Sequence, residues 1–284
     1  MNKVKSGQVV LNAPYLLWSV LFIIVPLVFV VYYAFTTADC RFTFQNITNF
    51  FTSSDYMYVF WMSMLYALIA TAICLALSYP FAYCMSKTKA STQSMLMLLV
   101  MLPMLMNLVV RTYSWRQILE RTGILNTFLE SLGLPAVTFL GSAGTVIFGM
   151  VYNYLPFMIL PIYSSISKVD RSLLEASSDL GCNVFGTIRR VILPMSVPGI
   201  LSGITMVFVP CVSTFYISRI FSEGRIVMIG DIIEEKFYRS GAPDYNIGAT
   251  ISLVLMLIII ISLAVVNRFS DSNDEDAVSG GIVI

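Results

Sequence analysis

The side chains best placed to do chemistry gather in one stretch, Asp170–Gly199, which reads DRSLLEASSDLGCNVFGTIRRVILPMSVPG. Here charges and a glycine lie between two long apolar segments, with prolines at the start of the second. Helical spacing puts Leu173, Leu174, Ser177 and Leu180–Gly181 near one another over two turns, with Glu175 and Asp179 four residues apart on another face. Asp170 is placed to cap this helix, Gly181 to turn the chain sharply, and a second short helix, Val184–Arg190, to enter the next apolar run at Pro194. A compact helix–turn–helix of this kind can seat in a groove of a partner protein. The same pattern also suits an ordinary amphipathic loop joining two spans.

Other chemistry has few means. The 284 residues include no histidine, the commonest general base near neutral pH and the commonest metal ligand. Cys40, Cys74, Cys84, Cys182 and Cys211 lie far apart without CxxC spacing, which argues against a zinc or redox site. No GxxxxGK[ST] occurs to cradle nucleotide phosphates, and no nucleophile, metal cluster or carboxylate pair suggests an enzyme. The expectation is therefore no catalytic site, no metal and no cofactor held by this chain. A net charge of +1 gives no basic field for nucleic acid.

The elements that position the stretch are membrane spans. Hydrophobic residues make up 57% of the chain and charged ones 12%, with a mean hydropathy of +0.82. Ordinary soluble domains carry about 25% charged residues. Six uncharged runs exceed the roughly 20 residues that cross a bilayer: Ser6–Ala38, Tyr56–Ser86, Ala90–Val110, Ser131–Ser167, Val191–Ser218 and Tyr245–Asn267. Their cores are expected near 13–36, 58–84, 94–112, 142–166, 195–218 and 248–267. Pro26 should kink the first. Phe42–Ser54, rich in Asn and Thr, reads as a loop, and the closing segment 270–284 as a disordered polar tail.

Arg111–Glu130 suggests short amphipathic helices on the membrane surface, broken at Gly123, with Arg111 snorkelling in an interfacial belt beside Tyr113 and Trp115. In the fourth span Asn153, flanked by Tyr152 and Tyr154, is expensive in lipid and should face other helices or a water-filled path. Gly199-Ile200-Leu201-Ser202-Gly203 is a GxxxG that permits close helix approach. The runs hold no internal Asp, Glu, Lys or Arg, the groups by which ion-coupled carriers work. A pathway driven by something else fits better than a channel or secondary carrier acting alone. With both termini in the cytoplasm, nine of the 17 basic residues fall inside and eight outside, a near tie.

Glu175-Ala176-Ser177, Gly181 six residues after the glutamate and Leu193-Pro194 resemble the EAA loop of ABC importer permeases, with Ser177 for the second alanine and Val191 for an isoleucine. Val110–Trp115, Asn126, Leu155–Pro161, Val207–Pro210, Gly230–Ile233 and Asn246–Ala249 resemble the spermidine/putrescine branch, and within it the first of the two permease subunits. Ile217-Ser218-Arg219 and Ser222-Glu223-Gly224 depart from that branch.

The resemblance implies an all-α integral membrane fold, six transmembrane helices of the type I ABC importer (MetI-like) permease kind with a cytoplasmic coupling helix. It implies residues 1–12 as a cytoplasmic N-terminus, 13–269 as the permease domain with the loop at about 168–194, and both termini inside the bacterial cytoplasmic membrane. Leu174, Glu175, Ala176, Asp179 and Gly181 would couple to an ATPase. The implied partners are a second permease forming a heterodimer, an ATPase dimer that holds ATP and Mg, and an extracytoplasmic substrate-binding protein. A polyamine path should offer aromatic faces and acceptors, for which Tyr152, Asn153, Tyr154, Tyr216, Asp231 and Glu235 are candidates. Iron, an anion or an opine is the alternative cargo.

Overall fold

The computed structural model describes residues 14–37, 39, 41–239 and 244–279, so the expected N-terminal segment 1–12 lies outside the described residues. These residues are nearly all helical. In chain order they form α1 (Pro14–Ala34), α2 (Gln45–Thr52), α3 (Ser54–Ser86), α4 (Ala90–Leu105), α5 (Leu108–Leu119), α6 (Ile124–Ser131), α7 (Ala143–Ser167), α8 (Arg171–Asp179), α9 (Val184–Ser213), α10 (Tyr216–Ser222), α11 (Ile229–Glu234) and α12 (Tyr245–Ser279). Among them α1, α3, α7, α9 and the Tyr245–Ala264 part of α12 are each long and apolar enough to cross a bilayer.

The third expected span is not straight. Instead of one helix over 94–112, α4 ends at Leu105 and the chain restarts as α5, with a 92° bend in the α4 to α6 pair. At 16 residues α4 is roughly 24 Å long, short of the roughly 30 Å hydrocarbon core. Asn107 makes the restart. Its side-chain oxygen accepts from the amides of Val109 at 2.8 Å and Val110 at 3.4 Å, donors that a new helix leaves orphaned.

Two of the prolines follow π turns. Pro26 is preceded by a π turn at Val20–Ile24, and Pro194 by another at Ile188–Ile192. A wider turn relieves the clash between a proline ring and the carbonyl four residues back. Three other expectations change. Gln45–Thr52 is a helix rather than loop, because Phe50 on one of its faces is buried (2% exposed). The fifth span stops at Ser213 instead of reaching 218, so Tyr216 opens a separate short helix. The polar segment after 269 stays helical to Ser279, since extending a formed helix adds a hydrogen bond per residue without a new nucleus; residues 280–284 lie outside the described set.

The chain divides into two compact units, Met1–Tyr58 with Ile232–Ile258 and Val59–Asp231 with Ile259–Ile284. In the first, Ala34, Ala249 and Leu253 form a buried core against which Val30, Phe35, Phe237 and Met256 pack. The carbonyls that α1 leaves free at its end find side-chain donors. Asn46 donates to Ala34 at 3.2 Å and Thr36 at 2.8 Å, and Asn246 to Tyr33 at 3.1 Å and to Thr36.

In the second unit α7 and α9 lie in close contact. A Cβ on Gly199 would come within 2.3 Å of the Ser165 hydroxyl and 2.5 Å of the Pro161 carbonyl oxygen, and one on Gly203 within 2.7 Å of the Met158 sulfur. The GxxxG therefore does let backbone meet backbone, as its spacing suggests. Gly149 makes the corresponding approach from α7 to α10, where a Cβ would stand 2.3 Å from the Phe221 ring.

The two glycines of α9 should differ in tolerance. Gly199→Ala meets a backbone oxygen that cannot move aside, and should destabilise by about 1–3 kcal/mol. Gly203→Ala meets the end of a flexible methionine and should cost less. Thermal midpoints of the two full-length variants in detergent check this, and equal midpoints would contradict the packing.

Candidate functional site

The helix–turn–helix is built as its spacing demands. Asp170 caps α8, its carboxylate accepting from the Ser172 amide at 3.1 Å. At the other end the Cys182 amide donates to Ser177 O at 3.1 Å and the Gly181 amide to Ser178 O at 2.9 Å. This nested pair is a Schellman turn, which needs a left-handed residue where Gly181 stands, and Gly181 has φ +78°. No atom lies within 4 Å of where its Cβ would be, so the demand for glycine comes from the backbone alone. Asn183 then caps α9, accepting from the Gly186 amide at 2.7 Å.

A contact that the sequence did not predict holds the elbow. The Ser177 and Thr187 hydroxyls are 2.9 Å apart, tying α8 to the first turn of α9, and Ser177 is 5% exposed. An alanine at 177 could not make this bond. The departure from the EAA pattern was thus the available sign. Leu174 is half-buried, whereas Leu173 and Leu180 are exposed at 42% and 84%, so within that face burial falls on Leu174 and Ser177. Glu175, Ala176 and Asp179 are exposed.

Behind α8 lies a cavity of about 480 Å³, lined among others by Lys87, Gln93, Ile166, Leu174, Glu175 and Ile192. Gln93 organises its wall. Its amide nitrogen donates to Ser86 O at 3.1 Å and Thr88 O at 2.9 Å, and its amide oxygen accepts from the Tyr163 hydroxyl at 3.1 Å. The α3–α4 turn and α7 are thereby joined next to the coupling helix.

The six expected path residues do not form one cluster. Tyr152 touches Trp115 and Phe148, with ring centroids at 5.1 and 6.4 Å, and the Arg111 guanidinium lies 5.7 Å from its ring centre. Tyr154 lies beside Phe157, with ring centroids 6.5 Å apart. Asn153 is 1% exposed and donates to Gly149 O at 2.8 Å; its side-chain oxygen has no partner among the described residues. Tyr216 packs edge-on to Tyr113 at 6.4 Å. Burial, together with the Tyr113 hydroxyl, pushes the Tyr216 phenol above its ordinary range and keeps it neutral. Glu235 belongs to the first unit and is itself exposed, at the start of the π turn Glu235–Arg239.

Two charges behave differently from expectation. Arg111 does not snorkel: it is 6% exposed and donates to the Pro103 carbonyl, across the break between α4 and α5. A guanidinium there caps the negative end of α4 and leans on the Tyr152 face, which offsets part of its desolvation. Asp231 is engaged by its own chain. One carboxylate oxygen accepts from Ser218 Oγ at 2.7 Å and the Met228 amide at 2.9 Å, and the other lies 3.8 Å from Arg219. Ser218 and Arg219 belong to the segment that departs from the polyamine branch, so that departure comes with a carboxylate partner.

With that geometry in view, the kinship of the chain is clear. The family model for binding-protein-dependent transport system inner membrane components matches residues 79–273, and the chain belongs to this family. It is 36% identical over 252 residues to the spermidine/putrescine transport system permease protein PotB of Haemophilus influenzae, covering 86% of this chain and 88% of that one. To PotB of Escherichia coli K12 it is 35% identical over 261 residues, covering 89% and 94%. A crystal structure of a bacterial alginate ABC transporter, in complex with an alginate pentasaccharide-bound periplasmic protein, contains a chain of the same fold: TM-score 0.78, 14% identity, 94% of this chain and 97% of that one covered. The chain is thus a multi-pass inner-membrane permease with the type I ABC importer fold.

Replacing the carboxylate at 231 should loosen the α10–α11 turn whatever the cargo. Asp231→Asn keeps the shape but loses the charge that its donors face, and should destabilise by about 1.5–3 kcal/mol. A thermal midpoint unchanged from wild type would show that the three contacts contribute nothing.

Proposed function

We propose that this chain forms half of the translocation path of an ATP-driven polyamine importer and receives its driving motion through α8. The single observation that carries the cargo is the likeness, over nearly the whole chain, to permeases named for spermidine and putrescine. Its partners are a second permease subunit, a cytoplasmic ATPase dimer that binds ATP and Mg, and an extracytoplasmic substrate-binding protein. Hydrolysis belongs to the ATPase, and this chain binds no cofactor. Both termini and the α8–α9 elbow face the cytoplasm.

In this reading Leu174, Glu175, Ala176 and Asp179 meet the ATPase, and Gly181 sets the angle at which α8 joins α9. The capped, hydroxyl-tied elbow and the close packing of α9 on α7 support it, because a lever transmits displacement only if its joints do not yield. Tyr152 and Tyr154 offer aromatic faces to a passing ammonium, with Asn153, Tyr216 and the Asp231 and Glu235 carboxylates as further candidates.

Uptake of labelled spermidine and putrescine by vesicles holding the assembled transporter and ATP tests the assignment; no uptake of either would refute the cargo. Gly181→Val should insert normally yet lose transport, while Gly181→Asn, which tolerates the left-handed backbone, should retain more. Equal activity of both variants would remove the elbow from coupling. Tyr152→Ala should raise the KM for uptake about two- to thirty-fold, the range for loss of one cation–π contact, and an unchanged KM would take Tyr152 out of the path.

A further inference from the structure

The start of α9 carries a feature that neither coupling nor the path uses. Phe185 and Arg189, and Gly186 and Arg190, are two pairs four residues apart on adjoining strips of the helix. Gly186 contributes no side chain, and a concavity of about 450 Å³ opens here, lined by Asn183, Phe185, Gly186, Arg189 and Arg190. Both arginines are exposed, and among the described residues neither has a carboxylate within 4.0 Å. The side-chain contact of Arg190 is Nη1 to the Cys182 sulfur at 3.9 Å. Residues 180–199 contain no Asp or Glu at all.

We propose that this hollow binds the phosphodiester head of an anionic phospholipid. Two uncompensated guanidiniums present forked donors that match the oxygens of a phosphodiester. Their level suits a lipid. They sit one to two turns into α9, a 30-residue apolar helix long enough to span the bilayer, so about 8–9 Å from its start, where headgroups meet acyl chains. Val184 and Phe185 beside them are 67% and 71% exposed, and Leu193 one turn further on is 40% exposed. A diacylglycerol below its phosphate would cover that apolar flank. The lipid then clamps the first turn of α9, next to the Ser177–Thr187 bond, and makes the elbow sensitive to bilayer composition.

Native mass spectrometry of the full-length chain in detergent tests this, with dioctanoyl-phosphatidylglycerol and dioctanoyl-phosphatidylcholine as probes. The wild type should retain the anionic lipid about tenfold more than the zwitterionic one. Arg189→Gln/Arg190→Gln should lose that preference, and so should Gly186→Leu, which fills the hollow without touching charge. Should the double variant fail to fold, Gly186→Leu carries the test alone. Equal retention of the two lipids by wild type, or an undiminished preference in these variants, overturns the proposal. So does a thermal shift with inorganic phosphate as large as with phosphatidylglycerol, which would make the site one for a free anion. A double variant that keeps its lipid but no longer holds the partner ATPase would mark the arginines as a protein contact instead.

Discussion

In the hydrocarbon core there is no water to satisfy a backbone amide or carbonyl, so each helix end must find its partners within the protein. Most features of this chain follow from that. Where α1 stops, Asn46 and Asn246 supply donors to carbonyls at Tyr33, Ala34 and Thr36. Where the third apolar run breaks, Asn107 takes up the amides of the new helix and Arg111 the carbonyl of Pro103 from the old one. Polar residues that a hydropathy plot treats as interruptions are the parts that make interruption possible.

At the elbow the helix ends are satisfied by local caps and a turn. Capping by Asp170 and Asn183 and the Schellman turn at Gly181 leave little freedom in the few residues that join α8 to α9. Motion applied to α8 then has to be taken up by α9, which cannot slide against α7 while Gly199 and Gly203 hold the helices this close. Gln93 joins the α3–α4 turn to α7 beside the same cavity, so the helix ends nearest α8 are braced as well.

Much of this was legible in the sequence. Uncharged runs marked the spans because a helix needs about 20 apolar residues to cross. Asp170 and Gly181 were legible because capping and left-handed turns are local demands met by few residue types. The bend after Leu105 was not, since it depends on Asn107 and Arg111 meeting groups in three dimensions, and a run read for its lack of charge does not show which groups those are. Arg111 itself misled: at the end of a span the commonest place for an arginine is the interface, yet a carbonyl freed eight residues earlier drew it inward. Asp231 stood out as a possible path charge, and its dependence on Ser218 and Arg219 showed only in the fold. The path itself stays the least legible part, because aromatic residues serve packing and recognition with the same chemistry.

The hydroxyl pair at Ser177 and Thr187 has a consequence for how such transporters can diverge. Gly181 meets no side chain, so the angle between α8 and α9 owes its side-chain restraint to that pair. A restraint made of two small hydroxyls can be removed or restored by one-atom changes at either position without disturbing the packing of any span. Compliance at the elbow is therefore a property that selection can adjust separately from membrane insertion.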